Sequence, residues 1–130
     1  MQRCLPLLAL AATLIGSGAA AASQTSDEML AAETAGRVAG PPVSCILQRS
    51  IKTVHIIPGT ALVYETNNGT RYVNYPSGAG FLRRDQILVT DTHSSQLCDV
   101  DIVRLVDSLS RSSFGSVGLG KFIPYAKPRK

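Results

Sequence analysis

Five consecutive residues, Asp91, Thr92, His93, Ser94 and Ser95, gather an acid, an imidazole and hydroxyls. These are the side-chain types of nucleophilic catalysis, in which an imidazole takes the proton of a hydroxyl while a carboxylate orients the imidazole. That chemistry needs the groups to converge from a rigid frame. Neighbours on a polar connection rarely do so, and the segment reads as a solvated loop. His55 stands in a run of β-branched residues and reads as a strand histidine satisfied by a neighbour. An enzymatic reading survives only as a small hydrolase using His93 and His55 with an Asp, and it requires those groups to meet in the fold.

Other patterns fail on their own chemistry. Gly115, Gly120 and Lys121 match the opening of a phosphate-binding loop, but Phe122 stands where that loop needs a magnesium-binding hydroxyl. Ile123 and Pro124 follow where a helix should begin. The glycines read instead as a turn into a final strand. Asp99 and Asp101 resemble the start of a calcium loop, yet Ile102, Val103 and Leu105 follow, with no glycine and no closing glutamate. Asn68, Gly69 and Thr70 fit a glycosylation acceptor, although a hairpin turn already accounts for them. Arg83, Arg84, Lys121, Lys127, Arg129 and Lys130 would make a basic patch only if the fold gathered them, and scattered solvated charge is the simpler reading. No residue is assigned to catalysis, to a cofactor or to a metal, and no cofactor is expected.

The three cysteines carry more information. Cys4 lies in a segment with the form of a secretory signal. Arg3 supplies its positive start, residues 5–15 an uncharged apolar run, and Gly16, Ser17 and Gly18 a break before a stretch of alanines. Cleavage after Ala22 is expected. The same stretch makes a poor membrane anchor, because its second half is Ala, Gly and Ser. Export to the periplasm or beyond then leaves Cys45 and Cys98 in an oxidising compartment, where such a pair forms a disulfide. No transmembrane segment is expected after the signal. A formal net charge of +4 over 130 residues is too mild to argue for nucleic acid.

The elements that would position these residues are short. Residues 23–42 read as a flexible leader, in which Thr25 and Glu28 have capping-box spacing before a possible turn or two of helix. The β-rich domain is placed at residues 43–125 and a basic tail at 126–130. Its best-defined unit is a hairpin through Asn68 and Gly69. As a two-residue loop these pair Thr66 with Arg71, Tyr64 with Val73 and Leu62 with Tyr75, placing Leu62, Tyr64, Val73 and Tyr75 on a core face. Upstream, residues 52–57 read as a strand turned by Pro58 and Gly59. A two-residue loop there pairs His55 with Leu62, and a loop one residue longer inverts the pairing. Residues 86–90 and 119–125 read as further strands, and residues 99–107 as a strand or a short helix. Five or six short strands and no long helix predict a mainly antiparallel all-β fold, a small barrel or sandwich with one disulfide.

Four stretches carry a resemblance. They are Arg37 through Ile46; Tyr72, Val73 and Asn74; Gln96 through Asp101; and Leu119 through Tyr125. Over most of residues 37–125 the chain resembles a family of small, uncharacterised exported proteins of Gram-negative proteobacteria that carry a domain of unknown function. Many members carry two further cysteines near the places of Gly80 and Gly118, so the resemblance also implies that Cys45 pairs with Cys98. It implies no activity and no catalytic residues. The reading that follows is a non-enzymatic binding or envelope-associated module whose partner is an envelope or foreign protein, if it has one. A small secreted inhibitor of a hydrolase, with the loop at residues 78–85 entering a cleft, is the alternative.

Overall fold

The computed structural model describes residues 24–129. The expected signal at residues 1–22, Cys4 within it, Ser23 and Lys130 lie outside the described residues. In chain order come helix α1 (Ser26–Thr34) and strands β1 (Val38–Ala39), β2 (Cys45–Leu47), β3 (Ile51–Ile57), β4 (Ala61–Thr66) and β5 (Arg71–Asn74). Then follow β6 (Gln86–Thr90), β7 (Gln96–Cys98), β8 (Ile102–Asp107), β9 (Ser113–Gly118) and β10 (Phe122–Ala126). All pairings are antiparallel, in a five-stranded sheet ordered β1-β10-β5-β4-β3, a three-stranded sheet β6-β8-β9 and a ribbon β2-β7. None of the sheets closes into a barrel, and the arrangement is a β-sandwich. Among the described residues there are ten strands, rather than the five or six expected. The additions are the two- and three-residue strands β1, β2 and β7, too short for a period-2 signal, and β9, whose glycines disguise it.

The central hairpins differ in register from the two-residue form. Thr66 N–H donates to the Thr70 carbonyl at 2.9 Å and Gly69 N–H to the Thr66 carbonyl at 3.0 Å. Gly69 sits at φ +87°, in the left-handed region. Asn67, Asn68 and Gly69 therefore form a three-residue loop, the next commonest hairpin connection. Asn68 Oδ1 braces it, accepting from Thr70 N–H at 3.1 Å and from the Thr66 hydroxyl at 2.5 Å. The extra residue turns β5 over: Tyr72 and Asn74 lie opposite Tyr64 and Leu62, and Val73 opposite Val63. Tyr75, expected in the core, lies past the strand end at 49% exposure. The β3–β4 turn is also the longer form, through Pro58, Gly59 and Thr60, so His55 faces Val63 and Val54 faces Tyr64.

These registers give the five-stranded sheet two buried faces. One carries Leu62, Tyr64 and Phe122 against Val103, Leu105 and Val117 of the three-stranded sheet and Ile46 and Leu97 of the ribbon. The other carries Ile57, Ala61, Val63 and Val73, covered by Met29 and Leu30 of α1. The segment expected as a flexible leader thus holds a docked helix and strand β1. Thr25 and Glu28 do form the capping box at its start. Residues 102–107 are a strand rather than a helix: Val103 and Leu105 are buried while Ile102 and Arg104 are exposed. The strand expected at 119–125 starts only at Phe122, and the glycines at 115 and 118 belong to β9 rather than to a turn.

Gly120 makes that last connection for a steric reason. Its N–H donates to Asn74 Oδ1 at 2.9 Å and Asn74 Nδ2 donates to its carbonyl at 2.7 Å. A Cβ at Gly120 would stand 2.9 Å from the Tyr75 carbonyl oxygen. Asn74, wholly buried, is thereby satisfied by backbone on both sides of its amide.

Cys45 and Cys98 sit opposite each other in the ribbon and are bonded, closing a loop with a sequence separation of 53. Loop-closure entropy assigns such a link about 4 kcal/mol. The double variant Cys45→Ser/Cys98→Ser is expected to lose about that much stability in urea unfolding, and a loss below about 1 kcal/mol would contradict it.

The β8–β9 connection turns on Asp107. Its Oδ1 accepts from Ser110 N–H at 2.7 Å, Leu109 N–H at 2.9 Å and the Ser110 hydroxyl at 3.1 Å. These bonds, that from Ser110 first, hold the carboxyl below its ordinary value. A carboxyl depressed by folding contributes stability above its unfolded value and loses it as pH falls through the lowered one. Asp107→Asn is therefore expected to flatten the acid limb of the stability profile, read from urea melts at stepped pH, and an unchanged limb would refute this role.

Candidate functional site

The sandwich is open on the side where its edge strands β3 and β6 lie. There a cleft of about 360 Å³ is lined by Ile51 and Val54 of β3, Tyr64 of β4, Leu88 and Thr90 of β6, Leu97 of β7, and Gln48 after β2. It falls at the small end of small-molecule sites, roughly 300–1,000 Å³. No lining residue is charged. Hydrocarbon forms the walls, and Gln48 and Thr90 contribute polar groups. Gln48 is held in place, its Nε2 donating to Thr92 Oγ1 and its N–H to the Ser95 carbonyl at 3.0 Å.

Across the five-stranded sheet from this cleft lies a charged cluster. Glu33 of α1 reaches His55 of β3, Oε1 to Nδ1 at 2.6 Å. Arg71 Nη1 donates to the Glu33 carbonyl at 2.9 Å and stands 2.9 Å from Glu33 Oε2 as an ion pair. Its Nη2 lies 3.6 Å from Glu65 Oε2, which is 4.0 Å from His55 Nε2. The pairing is electrostatic more than hydrogen-bonded, since Glu33 Oε2 and Arg71 Nε have no hydrogen-bond partner among the described residues. No described hydroxyl or thiol hydrogen-bonds to His55, and the cluster's visible role is to tie α1 to the sheet.

The groups of the hydrolase reading are not brought into one site. His55 belongs to this cluster, whereas His93 lines a separate hollow of about 310 Å³ with Asp91, Val100, Asp101, Ile102 and Arg104. Asp91 turns to Arg104 at 3.2 Å. The hydroxyls of Thr92 and Ser94 donate to the Ser94 and Gln96 carbonyls, both at 3.2 Å. Asp101 Oδ2 accepts from Cys98 N–H at 2.7 Å, and Asp99 pairs with Lys121 at 3.1 Å, so these two carboxylates brace the turn after the disulfide. Among the described residues no group of three His, Cys, Asp or Glu is placed to hold a metal ion.

Three of the basic residues take separate partners. Arg83 lies over the Phe114 ring at 4.7 Å, Arg84 donates to the Met29 sulfur at 3.4 Å, and Lys121 donates to Ser44 Oγ at 3.0 Å. The loop at residues 78–85 is anchored by buried Leu82, whose carbonyl accepts from Gly59 N–H at 3.0 Å, and it leaves Phe81 exposed. Gly118 bridges to Ser77, two residues before the short turn (Ala79–Phe81) that holds Gly80.

Sequence reasoning missed both candidate sites. Glu65 and Arg71 become neighbours only with the three-residue hairpin loop, and Glu33 lay in the segment read as leader. No helix among the described residues is long and apolar enough to cross a membrane. No family model, curated protein or solved structure matches the chain.

Glu33 and Arg71 side chains are only 19% and 22% exposed, so their pairing lies between a surface and a buried ion pair. Glu33→Ala is expected to cost roughly 1–3 kcal/mol in urea unfolding and to speed amide exchange in α1. Unchanged exchange there would show that the cluster does not hold the helix.

Proposed function

We propose that the protein is an exported, non-enzymatic binding module that takes a small, uncharged and largely apolar ligand in the cleft between its sheets. The observation that carries this is the cleft itself, a concave site walled by Ile51, Val54, Leu88 and Leu97 with polar groups from Gln48, Thr90 and Tyr64. Apolar walls with a few fixed polar groups are the usual composition of a small-molecule site. Export to the periplasm or beyond is supported by the signal-like start, by the Cys45–Cys98 disulfide and by the resemblance to an exported family. The absence of charge from the lining argues for an uncharged ligand, because an ion here would lose its hydration without a counter-charge.

The neutral fluorophore N-phenyl-1-naphthylamine tests this reading. Its emission is expected to rise saturably with the purified protein. Val54→Arg, which sets a guanidinium into a half-buried wall position, is expected to weaken the binding at least about tenfold while the thermal melt stays cooperative. No saturable rise, or equal binding by the folded variant, would overturn the proposal.

A further inference from the structure

Tyr64 differs from every other polar group lining the cleft. It is only 3% exposed, and its ring meets Phe122 edge-on, with centroids 5.6 Å apart and planes at 70°. Its hydroxyl makes no hydrogen bond to any described residue, although Tyr64 lines the cleft. Burial alone pushes this phenol well above its ordinary value, so it stays protonated and able to donate at physiological pH. The hydroxyl is not one of the fully buried atoms that lack a partner, so it keeps some open surface and is free to bond a molecule in the cleft. A phenol donates a hydrogen bond more readily than it accepts one. An acceptor on a ligand is therefore the partner it suits best, and a carboxylate or phosphate oxygen would find no counter-charge in the uncharged lining.

We infer that the ligand carries a carbonyl-type oxygen, as in a ketone or ester, seated to accept a hydrogen bond from the Tyr64 hydroxyl, with its hydrocarbon portion against Ile51, Val54, Leu88 and Leu97. This rests on the cleft being the binding site. Tyr64 acts here as a specificity determinant: the walls hold any apolar body of suitable size, and the hydroxyl selects those that present an acceptor.

The test compares 2-acetonaphthone with 2-ethylnaphthalene, two compounds of similar shape that differ in the carbonyl. Each competes with N-phenyl-1-naphthylamine on the wild-type protein and on Tyr64→Phe. The ketone is expected to bind the wild type more tightly than its partition into octanol predicts relative to the hydrocarbon. In Tyr64→Phe the ratio of the two dissociation constants is expected to shift about tenfold against the ketone. A ratio unchanged within about twofold, with the fluorophore still bound, overturns the inference and leaves the binding-module reading standing. Failure of the wild type to bind the fluorophore overturns both. The variant removes one unpaired hydroxyl and keeps the ring, so its melting temperature is expected not to fall. The wild-type comparison stands without it.

Discussion

Strand β4 is buried on both of its faces, and the rest of the molecule is arranged to make that possible. Ala61, Leu62, Val63 and Tyr64 are buried in succession, so neither side of the strand meets water. A two-layer sandwich would leave one face of a five-stranded sheet exposed. Here one face meets the three-stranded sheet and the ribbon, and the other is covered by α1. The helix has little drive of its own: it spans nine residues and buries none of them completely. A helix of that length is marginal in water. Contacts of Met29 and Leu30 with the Ile57, Ala61, Val63 and Val73 surface, and the ties from Glu33 to His55 and Arg71, keep it in place.

The two faces of β4 therefore do different chemistry. Val63 and Glu65 point toward α1, where an apolar patch grades into an ionic one. Leu62 and Tyr64 point between the sheets, where the surroundings are mostly hydrocarbon and the buried amide of Asn74 is closed off by Gly120. This division explains why charge is absent from the cleft. His55, Glu65 and Arg71 of the central hairpins fall on the other parity. A one-residue change in either turn would carry Arg71 or His55 to the opposite face and place an ion among Leu62, Tyr64 and Phe122.

That parity also marks the limit of what could be read from the sequence. The antiparallel all-β class, the hairpin centred on Asn68 and Gly69, the strand at Gln86–Thr90 and the Cys45–Cys98 bond are legible locally, because β-branched runs, turn residues and paired cysteines carry them. The loop length is not. Asn67, Asn68 and Gly69 accept a two- or a three-residue loop, and the choice depends on whether Val73 or Tyr72 fits better beside Tyr64, a packing matter outside any local window. The same holds for Ser113–Gly118, whose small residues suggest a turn until Val103 and Leu105 of the neighbouring strand are there to pair with them. The candidate cleft was illegible for a further reason. Its walls come from β3, β4, β6 and β7, no two of its lining residues are adjacent in sequence, and apolar strand residues are indistinguishable from core.

The disulfide has a positional consequence as well as an entropic one. Strands β2 and β7 pair through only three residues each, and an isolated two-stranded ribbon is marginal in water. Yet Ile46 and Leu97, opposite each other at its centre, are both nearly completely buried, and Leu97 is one wall of the cleft. Gln48, one residue beyond β2, is another part of that lining. The Cys45–Cys98 bond sits one pair away from Ile46 and Leu97 and fixes the register that aims them inward. A slip of one residue would turn Leu97 outward and bring Gln96 or Cys98 to face the core. The covalent link thus defines the shape of the cleft at the point where hydrogen bonding is least able to, so the oxidising compartment that the sequence predicts would be a condition for the site and not merely for the fold.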